Sequence, residues 1–269
     1  MIRLLTFLVL FPASLWAATP AELNRLHAAL DTDALIQILS EEGLMQSEDL
    51  RDDMFPGRGG IGWTAAVGRI YAPERLSEAF RTAFDEALAE EPVDELLAFY
   101  ASDVGQLISS LEVEARRAIM SEDVEDAARN AYSDLLETET ERLAILEEFA
   151  ELNGLVDRNV AGALNSNLQL YKGLASGGAF EMTESEMLSE VWEQESSIRD
   201  DTEGWVYGYM TFAYETVSNN DLRSYVDMTA TPQGRALNRA LFAGFDAVFQ
   251  GVSFELGATT ARFSAGDEL

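Results

Sequence analysis

Apolar residues recur along this chain at intervals of three and four, the spacing that places them on one side of a helix. Leu76, Phe80, Phe84 and Leu88 step by four; Trp63, Val67 and Ile70 form another stripe, after which Pro73 restarts the chain. Thr19-Pro20-Ala21-Glu22 reads as a capping box with proline at the first helical position, and Leu23, Leu26 and Leu30 follow on one face. Leu35, Ile36 and Leu39 predict a second short helix closed by Gly43, and a helix around Leu50 stops at Pro56. From Glu122 to Asn153 the pattern is helical with a break near Thr138, and Leu155 to Tyr171 continues it through Val160, Leu164 and Leu168. Thr183-Glu184-Ser185-Glu186 is a second capping box, ahead of Leu188, Val191 and Trp192. No stretch alternates apolar and polar residues between turn signals. The expectation is an all-α, multi-helix array without a sheet.

One segment is written twice. Leu97 to Gln106 returns 129 positions later as Val226 to Arg235. In each copy a helix end is followed by Ser102 or Thr231, then Asp103 or Pro232, then Gly105 or Gly234. A hydroxyl at that place caps the next helix, and an acid or proline suits its first turn. Glycine is a poor helix former, so its presence there predicts another backbone passing close by. Upstream, Leu76 and Phe80 match Trp205 and Tyr209 at the same offset. These matches predict one helical domain over 18–257 made of two related halves, about 18–152 and 153–257, with a flexible C-terminal tail over 258–269.

The residues of the first copy carry a resemblance. Phe99-Tyr100-x-Ser102-x-x-Gly105 resembles the F-Y-x-[ST]-x-x-G signature of the exported bacterial proteins called domain of unknown function 2059. Tyr171-Lys172-Gly173-Leu174 before Gly177-Gly178, Trp192-x-Gln194-Glu195, Trp205 and Ala213-Tyr214 resemble the same family. The first copy departs from the usual joint with Asp103 where proline is common, and the second has Met228-Thr229 in place of Phe-Tyr. The resemblance implies a helical periplasmic protein without an established activity, and it supplies no catalytic residues.

Composition narrows the function classes. Arg3, the apolar run Leu4–Phe11 and the small residues ending at Ala17 read as a signal peptide over 1–17, so the mature chain is expected to be soluble and periplasmic. A formal net charge of −30 repels nucleic acid and anionic headgroups, which excludes nucleic acid as a partner and leaves cations and basic segments. With no cysteine and the single histidine His27, thiol catalysis, thiolate zinc sites and His-rich zinc sites are excluded. His27 is read as a structural histidine in the first helix. Lys172, the sole lysine, follows no phosphate-binding loop.

The remaining candidates rest on glycines and carboxylates. Gly57-Arg58-Gly59-Gly60-Ile61-Gly62 spells the dinucleotide pattern G-x-G-x-x-G but follows a helix, so it is read as a connection with Trp63 anchoring its far end. Asp200-Asp201-x-Glu203 and Asp31-x-Asp33 lack the calcium-loop spacing, and weak divalent-cation binding is the most they predict. Gln194-Glu195-Ser196-Ser197 resembles the glutamine-glutamate-serine element of lytic transglycosylases, with Trp192 and Trp205 as candidate walls of an apolar pocket around a general-acid Glu195. In the last helix Leu237, Leu241, Phe242, Phe245, Val248, Phe249, Val252 and Phe254 spread over more than one stripe, enough to bury against the other half or to meet a partner. No catalytic, cofactor-binding or metal-binding residue is assigned and no cofactor is expected. The function read from the sequence is a non-catalytic interaction or envelope-maintenance factor with a protein partner in the cell envelope; the alternative is a peptidoglycan hydrolase using Glu195.

Overall fold

The computed structural model describes residues 17–266 apart from 55, 57, 58 and 139; the signal peptide expected over 1–17 lies almost wholly outside them. Among the described residues the chain forms helices and no strand. The capping box works as its spacing requires: the Thr19 hydroxyl accepts from Glu22 N–H at 3.3 Å while Thr19 N–H donates to the Glu22 carboxylate at 2.9 Å, starting α1 (Pro20–Ala29). Next, α2 (Thr32–Met54) runs straight through Gly43, which corrects the expected stop there. The glycine is needed because Tyr71 lies across it. A methyl at Gly43 would stand 1.9 Å from Cε1 of that ring, and Ser40 fixes the same turn by donating to Tyr71 O at 2.7 Å.

Trp63 on α3 (Gly60–Ile70) is fully buried and donates its indole N–H to Ser47 O at 3.0 Å. The four-residue steps of α4 (Pro73–Leu88) bury Leu76, Phe80, Phe84 and Leu88. Two further pairs follow: α5 (Asp94–Tyr100) with α6 (Asp103–Ala118), then α7 (Glu122–Leu136) with α8 (Glu141–Asn153), the latter pair parted where the break near Thr138 is expected. The chain closes with α9 (Leu155–Ser176), α10 (Glu184–Glu193), α11 (Glu195–Ala213), α12 (Asn219–Ala230) and α13 (Pro232–Ala265).

The 34-residue α13 is the axis of the fold, packed most heavily on α9 and α4. It runs parallel to α9. Asp246 sits beside Gly162, Phe254 and Ala258 beside Gly173, and Ala261 beside Gly177. A methyl on Gly173 would come within 2.1 Å of Phe254 O, so the two helices touch backbone to backbone at that end. One contiguous apolar cluster draws on both halves of the chain, including Leu26, Phe84, Leu96, Ile108, Leu146, Met210, Leu237 and Phe263.

The flexible tail expected over 258–269 does not begin at 258. α13 continues to Ala265, and Phe263 is buried edge-on against Trp63 with ring centroids 5.5 Å apart. The core supplied by α3 holds this last stretch in place. Asp267 to Leu269 lie outside the described residues.

The doubled segment forms two corners of the same local geometry. Ser102 donates to Phe99 O at 2.6 Å and accepts from Gly105 N–H at 3.2 Å. Thr231 donates to Met228 O at 2.8 Å and accepts from Gly234 N–H at 3.0 Å. A methyl at either glycine would stand 2.2 Å from the carbonyl oxygen of Phe99 or Met228. Each corner therefore presses the start of a long helix, α6 or α13, onto the end of the short helix before it.

Candidate functional site

From its corner α6 carries an apolar stripe made of Ile108, Ala115 and Ile119, all buried. Glu112 falls within that stripe, at the helical spacing of four and three residues. It lines a cavity of about 610 Å³, open on one side, between helices of both halves. A second lobe of about 270 Å³ shares Tyr100, Glu112, Trp205, Tyr209, Tyr225 and Phe245 with the first and extends towards Phe149 and Asn153. The walls are mainly Leu30 and Leu39, Trp205 of α11, and Leu241, Phe242 and Phe245 of α13. That size and lining are typical of a small-molecule site.

The carboxyl group is held by tyrosines from two other helices. Tyr214 and Tyr225 donate to Glu112 Oε1 at 2.6 and 3.0 Å, and Tyr209 donates to its main-chain carbonyl at 2.9 Å. Tyr100 lines both lobes of the cavity beside Tyr225 and Glu112. Burial pushes the Glu112 carboxyl above its usual range, opposed by the Tyr214 and Tyr225 hydrogen bonds that favour the ionised form. The same burial, with the Glu112 charge second, raises Tyr214 and Tyr225 well above the usual tyrosine value. All four phenols stay protonated at neutral pH, and Tyr209, Tyr214 and Tyr225 act as donors.

Other polar groups stand around the cavity. Arg116 pairs with Glu42 and lies 5.8 Å from the centroid of Trp205. Arg158 sits over Phe242 at 5.4 Å. Asp246 is half-buried, and burial raises its carboxyl against the pull of Arg158.

The residues singled out by the sequence stand elsewhere. Glu195, the candidate general acid, opens α11 and accepts from Arg199 Nε at 2.8 Å; it lines neither lobe of the cavity. Trp192 is 69 % exposed, so of the two expected aromatic walls only Trp205 meets the cavity. Asp33 pairs with Arg81 at 2.9 Å and Asp201 with Arg129 at 3.0 Å. Among the described residues no group of three or more acids or histidines is placed to hold a metal ion. Gly57 and Arg58 lie outside the described residues, while Gly60 to Gly62 open α3 after a helix, not after a strand. Lys172 pairs with Glu184 at 2.6 Å. His27 is buried against Phe84, with Asp85 at 2.8 Å and Thr32 at 3.1 Å on its two ring nitrogens, a structural arrangement. The broad apolar surface of α13 is divided. Leu237, Val248 and Val252 enter the core, while Leu241, Phe242, Phe245 and Phe249 line the cavity.

Glu112 was not singled out by the sequence, yet a signal was present. A carboxylate inside an apolar helical stripe is the informative exception, since charged residues are rarely buried without partners.

Among the described residues no helix is long and apolar enough to cross a membrane. Neither a curated protein nor a solved structure matches the chain. Residues 74–137, the segment from α4 through α7 that holds the first corner and Glu112, match the family described as an uncharacterized protein conserved in bacteria, domain of unknown function 2059.

Proposed function

We propose that this is an exported, non-catalytic binding protein of the bacterial periplasm that takes up a small ligand with an apolar body in the cavity around Glu112. The observation that carries the reading is the cavity itself: about 610 Å³, walled by aromatic and aliphatic side chains, with one convergent set of polar groups. A space of this size between well-packed helices forfeits many van der Waals contacts, and an apolar occupant restores them. The hydrolase alternative lacks this support, because Glu195 lies outside the cavity and is ion-paired to Arg199. A role in the cell envelope, including work with a protein partner there, rests on the signal-peptide pattern and the family resemblance.

The test is binding of a neutral apolar dye, 1-N-phenylnaphthylamine, followed by its fluorescence. Wild-type protein is expected to bind the dye saturably, and Ala163→Trp, which fills the cavity wall on α9, to abolish binding while circular dichroism stays unchanged. An Ala163→Trp protein that binds the dye as well as wild type would overturn the reading, and so would a wild-type protein that binds neither this dye nor an apolar amine.

A further inference from the structure

The tyrosine donors around Glu112 are committed to it, while two carboxylate acceptors that line the cavity make no hydrogen bond. The hydroxyls of Tyr209, Tyr214 and Tyr225 all go to Glu112. Both tyrosine bonds to the carboxylate end on Oε1; Oε2 has no protein partner among the described residues. Asp246 makes no hydrogen bond and no ion pair among them either, although its Oδ1 lies so near α9 that a methyl on Gly162 would be 3.0 Å away. Neither acceptor is sealed off: both carboxylates line the cavity and are only partly buried, so a donor entering the cavity can reach them.

The cations near the cavity do not fill this need. Arg116 is spent on Glu42, and Arg158 is an exposed side chain at the rim, lying over Phe242. The walls add to the case. Tyr100, Trp205, Tyr209, Tyr225, Phe242 and Phe245 surround the space, and aromatic faces attract cations, more strongly once water is removed. At long range, a chain with a formal charge of −30 draws cations towards itself and repels anions.

We infer that the cavity's ligand is a protonated amine carried on an apolar body, its ammonium donating to Glu112 Oε2 and its body lying against Trp205, Phe242 and Phe245. This rests on the cavity being a binding site and adds the chemistry of the head group. An ammonium at Oε2 gives the carboxylate the positive partner that the fold withholds.

The experiment is displacement of 1-N-phenylnaphthylamine by four C12 chains used below their micellar concentrations at physiological salt: dodecylamine, dodecyltrimethylammonium, dodecanol and dodecanoate. Dodecylamine is expected to displace the dye at about tenfold lower concentration than dodecanol or dodecanoate, corresponding to about 1.4 kcal/mol. The trimethylammonium chain, which has charge but no N–H, falls between. Glu112→Gln, its fold checked by circular dichroism and cooperative thermal unfolding, is expected to lose the preference for the amine. Asp246→Asn is expected to reduce the preference less. Dodecanoate displacing as well as dodecylamine would overturn the inference and point to Arg158 as the head-group site. So would an unchanged preference in Glu112→Gln. If the dye does not bind at all, calorimetric titration of wild type and Glu112→Gln with dodecylamine decides. Binding that needs Glu112 upholds the amine site, and its absence ends both readings.

Discussion

Seven residues beyond Gly105 stands Glu112, and seven beyond Gly234 stands Leu241; both side chains line the two lobes of one cavity. Four residues further, Arg116 on α6 corresponds to Phe245 on α13, and both line the larger lobe. The corners that launch these helices agree in the cap, in the hydrogen bonds and in the 2.2 Å approach at the glycine. Local geometry is therefore the same on the two sides, while the chemistry at these two matched positions is opposite: Glu112 and Arg116 from α6, Leu241 and Phe245 from α13. A joint of this kind fixes where a helix points. What the helix then presents is set independently, one side chain at a time.

The strongest way to break the comparison is at the glycines. Gly105→Ala and Gly234→Ala each force a methyl onto a backbone carbonyl, and each is expected to lower stability by about 3 kcal/mol. Urea unfolding measures both, and a corner that accepts alanine without loss is not built by close approach.

The cavity side comes next, because α6 has the Glu112 network where α13 has Leu241. Tyr214→Phe removes the 2.6 Å hydrogen bond to Glu112 and should cost about 2 kcal/mol. Tyr225→Phe removes the 3.0 Å one and should cost less. Equal and negligible costs in the same unfolding assay would mean that the tyrosines do not hold the carboxylate. Removing the caps is expected to act alike on both sides: Ser102→Ala and Thr231→Ala should each cost about 1 kcal/mol. Unequal thermal shifts of the two single variants would show that the corners differ energetically despite their shared geometry.

Protonation sharpens the contrast further. The folded-state value of Glu112 lies above the ordinary 4.5, so between those two points the native protein binds more protons than the unfolded chain. Its contribution to stability then falls as pH rises through that window and is constant above it. Melting temperatures of Glu112→Gln and wild type should converge below pH 4.5, with the variant gaining relative to wild type as pH rises towards the folded-state value. A difference that does not change with pH contradicts the burial of this carboxyl. The smallest effect belongs to Glu195→Gln. It breaks only the Arg199 pair at the surface, and should change stability by about 0.5 kcal/mol or less and dye binding not at all.

Much of the local structure is legible residue by residue. Thr19-Pro20-x-Glu22 and Thr183-x-x-Glu186 announce helix starts because each cap is closed by groups three residues apart. Phe80 and Phe84 announce the buried face of α4 for the same short-range reason. Gly43 misleads because glycine disfavours a helix by only about 1 kcal/mol, and the ring that makes it necessary belongs to Tyr71, on another element. The end of α13 misleads similarly, since Phe263 is held by Trp63 from far away in the chain. Glu195 drew attention through a resemblance in its neighbours, whereas Glu112 carried the physical signal, a carboxylate in an apolar stripe.

By itself, then, the sequence determined the helices, their caps, the two corners and the acidic, cysteine-free character of the chain, since all of these depend on residues within a few positions of one another or on composition alone. The tertiary structure decided which carboxylate is taken out of water, which aromatic rings surround it and that a cavity exists at all. A cavity is the space left where α2, α5, α6, α8, α9, α11, α12 and α13 fail to meet, and that follows from how distant segments pack, not from any one of them.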